Sequence, residues 1–314
     1  MSILGMDLGG TKLAVALLEE SGKILRQDII TLDGRRGAEV GKLITDQVKK
    51  YKDSAGSELH GIGISIPGIS NKKEGTVWAP NIEGWEHYPL LDEVQRYAPD
   101  IDVRVDNDRA CSILGEKWLG NAKGCTDAIF LAVGTGIGAG ILVGDNVIQG
   151  AHDIAGAIGW MALKRPFEKK YISCGCFEYY ASGDGIARLA QEILVEESTY
   201  TGVLREYVPD QITAHHVFAA YEENDPIACQ VINECIEYWG MASANLVSLF
   251  NPERIIFGGG VFGPAIKFIS RIKEAADQWA QPISRTQVEF TRSALEGNAS
   301  LIGSCYLTLK YKRQ

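Results

Sequence analysis

The chain has 314 residues, of which 46% are hydrophobic and 23% are charged, and its formal net charge is −9. This composition is ordinary for a globular protein, and the length favours two lobes over one. The acidic balance disfavours binding to nucleic acid or to an anionic membrane, and the lack of 18 consecutive apolar residues argues against a membrane-spanning helix.

The N-terminus and the cysteines point to a reducing compartment. The seven cysteines are odd in number and irregularly spaced, and most have apolar neighbours in the sequence. Such cysteines are typical of reduced thiols. No basic segment followed by an apolar stretch opens the chain, so no signal peptide is predicted. We therefore expect a cytoplasmic protein.

The first 120 residues predict five strands and two helices. Apolar residues recur at helical spacing from Val40 to Val48, which predicts a helix over 37–51. A buried strand ends at Pro67, and a later strand leads directly into the second helix. The predicted strands are 2–8, 12–18, 23–32, 59–68 and 101–108, and the second helix is 109–120.

The pattern then restarts in the second half of the chain. A strand, a glycine turn and two further short segments repeat the opening order, and long helices follow. The predicted elements include strands 127–133, 139–144, 254–260 and 286–293 and helices 225–250 and 294–310. This weak internal repeat indicates two α/β lobes. We place the first, smaller lobe at 1–119, a larger lobe at 120–296 and a final helix at 297–314.

Three glycine-rich turns follow apolar strands: "DLGGTK" (7–12), "GTGIGAG" (134–140) and "GGG" (258–260). Each alone would be only a turn, and the first is not a Walker loop because a strand follows it. Together they predict a cleft for nucleotide phosphates, since glycine exposes backbone N–H groups and threonine adds a hydroxyl donor. Asp7 at the first turn could hold a hydrated Mg²⁺ ion.

Seven motifs occur in an order that identifies a family resemblance: "DLGGTK", "ISIPG", "APNIEGW", "VDNDRA", "VGTGIGAGIL", "GCFE" and "FGGG". Over nearly its whole length the chain resembles the ROK family of sugar kinases and repressors. The resemblance implies an actin/hexokinase-like ATPase fold: an α/β protein of two ribonuclease-H-like lobes with a cleft between them. It also implies a homodimer and a last helix that packs back on the first lobe.

The resemblance assigns ATP and Mg²⁺ as cofactors and places them at the glycine turns. In such proteins the two glycine hairpins hold the ATP phosphates, and the "FGGG" region lies near the adenosine. The corresponding residues here are Asp7, Gly9, Gly10, Thr11, Lys12, Gly134, Thr135, Gly136, Gly138, Gly258, Gly259 and Gly260.

The resemblance also assigns the catalytic base and the sugar contacts. Asp108 matches the aspartate that accepts the proton of the sugar hydroxyl, although an acid at a strand–helix junction could also be a helix cap or first-turn acid. Asn81 matches a sugar contact, its alternative being an asparagine in a turn. Asp106 receives no role. The other positions that match sugar contacts are Pro67, Gly68, Asn107 and Glu178.

The segment "GAIGWM" departs from the family pattern beside the predicted sugar pocket. Ala157 stands where family members carry a sugar-binding glutamate, and Trp160 stands where they carry a histidine. Losing two hydrogen-bonding groups changes which sugar can be held, because an unpaired polar group costs about 1–3 kcal/mol. Trp160 could instead stack on a sugar face or fill space. The sugar is therefore not assigned as glucose.

The segment "KKYISCGCFEYY" (169–180) departs from the zinc site that family members commonly carry. Cys176 matches the last cysteine of that pattern, but Lys169 and Tyr171 occupy the first two cysteine positions, and Cys174 is out of register. One of four ligands remains, whereas a structural zinc needs four. We expect no structural zinc, and ordinary packing in its place.

The sequence leaves two alternative interpretations open and argues against a third. A zinc site rebuilt with His152 is the alternative to no zinc. A transcriptional repressor would need a winged helix-turn-helix, for which the chain leaves no room before its first strand. A catalytically inactive sugar- or nucleotide-binding protein is the alternative to an ATP-dependent sugar kinase. The expected partner is a small sugar, with no nucleic acid and no membrane.

Overall fold

The computed structural model describes residues 1–55 and 58–311, and the chain divides into two compact units. Unit 1 comprises Met1–Cys125, Gly140–Gly156 and Ser293–Gln314, and unit 2 comprises Thr126–Ala139 and Ala157–Arg292. Unit 1 thus runs past the predicted limit at residue 119 and also takes a short later segment. That segment packs on unit 1 because Gly140 has no side chain: a Cβ atom there would lie 2.1 Å from the Arg109 carbonyl oxygen.

The strands and helices keep the predicted order, with some additions. In chain order they are β1 (Ser2–Leu8), β2 (Lys12–Glu19), β3 (Ile24–Thr31), α1 (Ala38–Ala55), β4 (Leu59–Ile66), β5 (Ile69–Asn71), β6 (Thr76–Trp78), α2 (Leu90–Tyr97), β7 (Asp102–Asn107), α3 (Asp108–Leu119), β8 (Ala128–Val133), β9 (Ile137–Val143), β10 (Asn146–Val147), α4 (Cys176–Ala181), α5 (Gly183–Glu196), α6 (Ala214–Glu222), α7 (Pro226–Phe250), β11 (Arg254–Gly258), α8 (Ile269–Asp277), β12 (Glu289–Arg292) and α9 (Ala299–Lys310).

Two five-stranded sheets share one strand order. The first is β3-β2-β1-β4-β7, and the second is β10-β9-β8-β11-β12, so each places its first three strands as neighbours and then adds two later strands beside the first. In the first sheet β1 is antiparallel to β2 and parallel to β4, which is parallel to β7. In the second sheet β8, β11 and β12 are parallel. The predicted internal repeat is therefore present in the topology.

Local signals explain where the longest helices begin and end. The Asp225 side chain accepts a hydrogen bond from the Ala228 N–H at 3.0 Å, and Pro226 occupies the first turn of α7, where no donor is missed. Helix α7 ends at Asn251 in the left-handed conformation. The last helix begins at Ala299, not at residue 294 as predicted, because Glu296 has a φ of 50° and interrupts it.

Helix α9 covers one face of the first sheet at close range. Glycine at the contact brings the backbones together, because a Cβ at Gly63 of β4 would lie 1.7 Å from the Ser304 carbonyl oxygen. Helix α9 also packs closely on α3, since a Cβ at Gly303 would lie 1.6 Å from the Cys111 carbonyl oxygen. The opposite face of the sheet packs on α1 and α2 through an apolar core that includes Tyr51. The sheet is therefore covered on both faces, so a ligand can approach it at the ends of its strands.

None of the helices within residues 1–55 and 58–311 is both long enough and apolar enough to cross a membrane.

Candidate active site

The carboxyl ends of three neighbouring strands in unit 1 gather polar residues. In the parallel ladder Asp7 of β1 pairs with Ser65 of β4, which pairs with Asp106 of β7. Most of the preceding residues of β1 and β4 are apolar and buried, so the polar groups of these two strands concentrate at this edge. Ligands of open α/β sheets bind at such an edge.

Asp7 is held by two serine hydroxyls. The Ser300 hydroxyl donates to Asp7 Oδ1 at 2.9 Å, and the Ser65 hydroxyl lies 2.6 Å from that of Ser300. Burial raises the pKa of Asp7, while the hydroxyls of Ser65 and Ser300 and the charge of Lys12 act to lower it. The hydroxyls fix the carboxylate's orientation but occupy only part of its acceptor capacity, which leaves oxygen lone pairs for a hydrated cation.

The first glycine turn joins β1 to β2 next to Asp7. The Gly9 N–H donates to the Lys12 carbonyl at 2.8 Å and closes the turn. A Cβ at Gly10 would lie 3.8 Å from the Asn81 side chain, so the predicted sugar contact lies beside the predicted phosphate turn. The Thr11 and Lys12 side chains are exposed at this turn. The turn (residues 9–12) and Asn81 therefore form one surface in unit 1.

Asp108 is the first residue of α3, and Asn107, not Asp108, caps the helix: its Oδ1 accepts from the Ala110 N–H at 2.9 Å. The Asp108 side chain keeps 49% of its surface accessible. Burial of the carboxyl raises its pKa from 3.8 to about 6, with Arg109 lowering it and the charge of Asp7 raising it. A carboxylate with this pKa is largely ionised at pH 7 and still accepts a proton readily.

A buried hydrogen-bond network lies at the end of β7, directly before Asp108. Asp106 is 2% exposed, and its Oδ2 accepts from Lys72 Nζ at 2.9 Å and from Gln149 Nε2 at 3.0 Å. Its Oδ1 accepts from the Asn107 backbone N–H at 2.8 Å and from Asn107 Nδ2 at 3.2 Å. This network fixes the residue before Asp108. From the sequence Asp106 received no role, because it looked like an ordinary residue at the end of a strand, and its partners Lys72 and Gln149 are remote in the chain.

Pro67 and Gly68 follow β4 at the same sheet edge, and both are partly accessible. The Gly68 N–H donates to the Ile66 carbonyl at 3.1 Å. A Cβ at Gly68 would lie 2.0 Å from the Trp78 carbonyl oxygen, so the loop fits against β6 only with glycine at this position.

Glu178 lies in unit 2, on the short helix α4. Its Oε2 accepts from the Ile137 N–H at 2.6 Å, and glycines surround that oxygen: Cβ atoms at Gly136 and Gly159 would lie 2.8 Å and 2.9 Å from it. Burial raises the pKa of Glu178, whereas the Ile137 N–H lowers it. The second oxygen, Oε1, has no protein donor among the hydrogen bonds of the described chain and is free to meet a ligand hydroxyl.

A cavity of about 350 Å³ in unit 2 is bordered by the second and third glycine turns. Gly134 and Gly136 close the turn after β8 through a backbone hydrogen bond of 2.9 Å, and the Gly183 N–H at the start of α5 donates to the Gly134 carbonyl at 2.7 Å. Gly259 has a φ of 88°, and a Cβ there would lie 2.3 Å from a strand carbonyl. The other lining residues include Thr135, Asp184, Ile212, His215, Phe218, Gly260, Val261 and Pro264.

Two of the predicted unit 2 positions differ from their expected surroundings. Gly138 lies inside β9 and is buried, so the turn itself ends before it. Gly258 is the last residue of β11, and a Cβ there would meet the Phe130 ring at 2.3 Å. Gly258 thus allows close packing against Phe130, and Gly138 is buried within its strand, while Gly134, Thr135 and Gly260 border the cavity.

Trp160 and the cysteines lie around Glu178 in unit 2. Trp160 is 58% exposed, directly after Gly159. Cys176 is buried, and Cys174 is partly buried with its Sγ 3.8 Å from the Gly175 carbonyl oxygen. Across residues 1–55 and 58–311, no cluster of three His, Cys, Asp or Glu side chains is arranged to hold a metal ion.

Sequence reasoning missed most of the residues that support these groups. Ser300 holds Asp7 from 293 positions away, and no motif marks it. Ile212 and Phe218 line the unit 2 cavity from a stretch without glycine turns or charged pairs. Among these supporting residues, Ser65 could have been found from the sequence, because it lies near the end of the apolar strand within "ISIPG". In the sheet it is in register with Asp7.

The paired sheets of one strand order, with glycine turns and carboxylates at their strand ends, define the actin/hexokinase-like ATPase fold. Within that class the chain belongs to the ROK family, whose sequence model matches residues 3–311.

Individual relatives cover almost the whole chain. A glucokinase from Halalkalibacterium halodurans is 33% identical over 97% of this chain and 94% of that protein. A xylose repressor from Caldicellulosiruptor bescii is 30% identical over 96% of this chain and 76% of that protein. The crystal structure of a ROK family glucokinase from Streptomyces griseus in complex with glucose and AMPPNP has a TM-score of 0.79 at 29% identity, covering 99% of this chain and 100% of that one.

Proposed function

We propose that this protein is an ATP-dependent sugar kinase that transfers a phosphoryl group to a hydroxyl of a sugar or sugar derivative. The observation that carries the proposal is the half-accessible carboxylate of Asp108, which directly follows β7 at the sheet edge that also carries Asp7. The kinase relatives and the neighbouring structure with a sugar and an ATP analogue support the same reaction.

Asp108 acts as the general base. Phosphoryl transfer needs alignment, neutralisation of charge and a carboxylate that takes the proton from the attacking hydroxyl. Burial keeps the basicity of Asp108 above that of an ordinary aspartate, and its accessible surface lets a hydroxyl approach. Asp7 raises the pKa further through its charge, so the two carboxylates are electrostatically linked.

The cavity of unit 2 receives the nucleotide. Its apolar walls suit a purine ring, the first turn of α5 presents Asp184 to the ribose hydroxyls, and the turn at Gly134 and Thr135 offers N–H and hydroxyl donors to phosphate oxygens. In unit 1, Asp7 would hold a hydrated Mg²⁺, which when bound neutralises phosphate charge. Lys12, exposed at the first turn, offers a positive charge to phosphate oxygens.

The sugar contacts come from side chains that keep free hydrogen-bonding capacity. Glu178 offers Oε1, because Ile137 occupies only Oε2. Asn107 can act only through Nδ2, since its oxygen caps α3 and one amide proton is used by Asp106. Trp160 offers an exposed indole face for stacking on a sugar ring or substituent. Asn81, Pro67 and Gly68 complete the proposed contacts.

A coupled assay of ADP release over a panel of hexoses, amino sugars and glycosides tests the proposal. We expect one sugar class to raise ATP consumption at least tenfold over the rate without sugar. The panel includes glucose and sugars with larger substituents, because Ala157 and Trp160 alter one side of the pocket. No stimulation by any sugar, together with measurable sugar binding, would favour a binding protein without kinase activity. The similarity to a repressor keeps that second candidate in the test.

The assembly and location follow as proposals from the family resemblance. We propose a homodimer in the cytoplasm, without structural zinc. Light scattering on a size-exclusion column tests the dimer, since a mass near 34.2 kDa would indicate a monomer.

A further inference from the structure

Helix α4 and the segment before it carry a cluster of tyrosines and lysines that the proposed function does not use. Tyr171, Tyr179 and Tyr180 are all nearly buried, and their rings meet edge to face with centroids 5.2–5.9 Å apart. Lys170 Nζ lies 5.0 Å from the Tyr179 ring centroid and 5.3 Å from that of Tyr180. Such cation–π contacts are stronger when they are partly desolvated.

The hydroxyls of this cluster form one hydrogen-bonded chain. Tyr171 donates to Glu168 Oε1 at 2.7 Å, so the Tyr180 hydroxyl, 2.9 Å away, must be the donor to Tyr171. Lys164 Nζ in turn donates to Tyr180 at 3.3 Å. All donors therefore run in one direction, from a cation at Lys164 to an anion at Glu168. Chains with this polarity strengthen each of their bonds.

The opposite side of α4 is fixed to α7. The Tyr180 ring stacks on Tyr238 with centroids 4.8 Å apart, and Trp239 Nε1 donates to the Ala181 carbonyl at 3.0 Å. Helix α4 has six residues and is too short to be stable by itself. Its position therefore depends on contacts with its surroundings, which include these two sets and a hydrogen bond from Arg188 of α5 to the Tyr179 carbonyl at 3.0 Å. Glu178 lies on α4 one turn or less from Tyr179 and Tyr180.

We propose that the chain Lys164–Tyr180–Tyr171–Glu168, with Lys170 over the rings, is a positioning device that holds Glu178 in place for the sugar. Glu178 Oε2 keeps its hydrogen bond from the Ile137 N–H only while α4 stays in this position. Glu178 Oε1 is then available to a ligand. The role in sugar binding rests on the proposed function. The fixing of α4 does not.

The test compares Tyr171→Phe with Tyr51→Phe. Both substitutions remove one hydroxyl from a buried tyrosine that donates to a carboxylate, Glu168 in the first case and Asp28 at 2.9 Å in the second. Tyr51 lies in the apolar core of unit 1, away from the proposed contacts, so it controls for a general loss of stability.

We expect Tyr171→Phe to speed amide hydrogen exchange in residues 176–181 of the ligand-free protein at least fivefold. It should also raise KM for the sugar about fivefold, with KM for ATP unchanged and kcat at saturating sugar within twofold. Tyr51→Phe should change neither exchange in 176–181 nor KM for the sugar. Tyr180→Phe should match Tyr171→Phe, and the double variant should add little, because both break one chain.

If amide hydrogen exchange in residues 176–181 is as slow in Tyr171→Phe as in the wild type, the inference is wrong, irrespective of the kinetic constants of the variant. An unchanged sugar KM in Tyr171→Phe, while Glu178→Gln raises it, would also overturn it. By contrast, a Glu178→Gln variant with wild-type KM for every accepted sugar would count against the proposed sugar contact. Faster exchange in Tyr171→Phe would then still support the fixing of α4.

Discussion

Replacing Asp108 by asparagine should stabilise the protein at neutral pH. The folded state holds this carboxyl at a pKa of about 6, above its ordinary value of 3.8. Between pH 4 and 6 the folded state therefore binds more protons at this site than the unfolded chain, and the unfolding free energy of the wild type falls as pH rises. Above pH 7 the folded wild type carries the full free-energy cost of an ionised Asp108 in a partly buried position. The asparagine variant does not carry this cost.

The magnitude follows from the shift and from the exposure of the side chain. A shift of about two units corresponds to about 3 kcal/mol for a fully buried group. Half of the Asp108 side chain remains accessible, so solvent screening reduces this to about 1 kcal/mol. For unfolding of a chain this long, 1 kcal/mol raises Tm by about 2 °C.

Thermal unfolding of both proteins from pH 4.5 to 8 measures the effect. The stability difference should be smallest at the acid end, should grow as pH rises towards 6 and should reach its plateau above pH 7. Asp92→Asn is the matched control, because Asp92 is an exposed acid in the first turn of α2. That variant should lose up to about 0.5 kcal/mol of favourable interaction with the helix dipole. An Asp108→Asn protein less stable than the wild type at pH 7.5 would refute the electrostatic reasoning.

Three further outcomes are expected. The kcat/KM for sugar phosphorylation should fall as pH is lowered through about 6, because Asp108 must be ionised to accept a proton, and a profile flat down to pH 5 would contradict this. Gly259→Ala should lower the unfolding free energy by about 2 kcal/mol or more by chemical denaturation, since its φ is 88° and Val133 O lies 2.3 Å from the new methyl, whereas Gly260→Ala should be tolerated. Elemental analysis should find no stoichiometric zinc, and a chelator should leave Tm unchanged, because Cys176 alone remains of the family's ligand pattern; one zinc per chain would overturn that expectation.

The fold was largely predictable because its signals are local and repeated. Apolar strands followed by glycine turns mark β1 and β8, and the same order recurs in both halves. The start of α9 was predicted wrongly because the left-handed backbone at Glu296 is set by its surroundings and not by a glycine. Helix α2 was missed since it has only eight residues and no side-chain hydrogen bond caps its N-terminus.

The candidate site was predictable only where a short motif contains the whole signal. Asp7, Asp108 and Glu178 stand within or beside motifs, and their strand-end and helix positions follow from the sequence. Their hydrogen-bond partners did not follow. Ser300 and Gln149 reach the sheet edge from remote elements, and such pairings are fixed by packing that no local pattern encodes.

The central claim is that Asp108 accepts the proton of the sugar hydroxyl. The most direct measurement is the initial rate of sugar-dependent ADP release by Asp108→Asn at pH 7.5, beside sugar binding by calorimetry. The amide keeps the shape of the side chain but cannot accept the proton, so we predict a loss in kcat of about 10²–10⁴-fold with sugar affinity within threefold. A variant that turns over at a rate near that of the wild type would contradict the account.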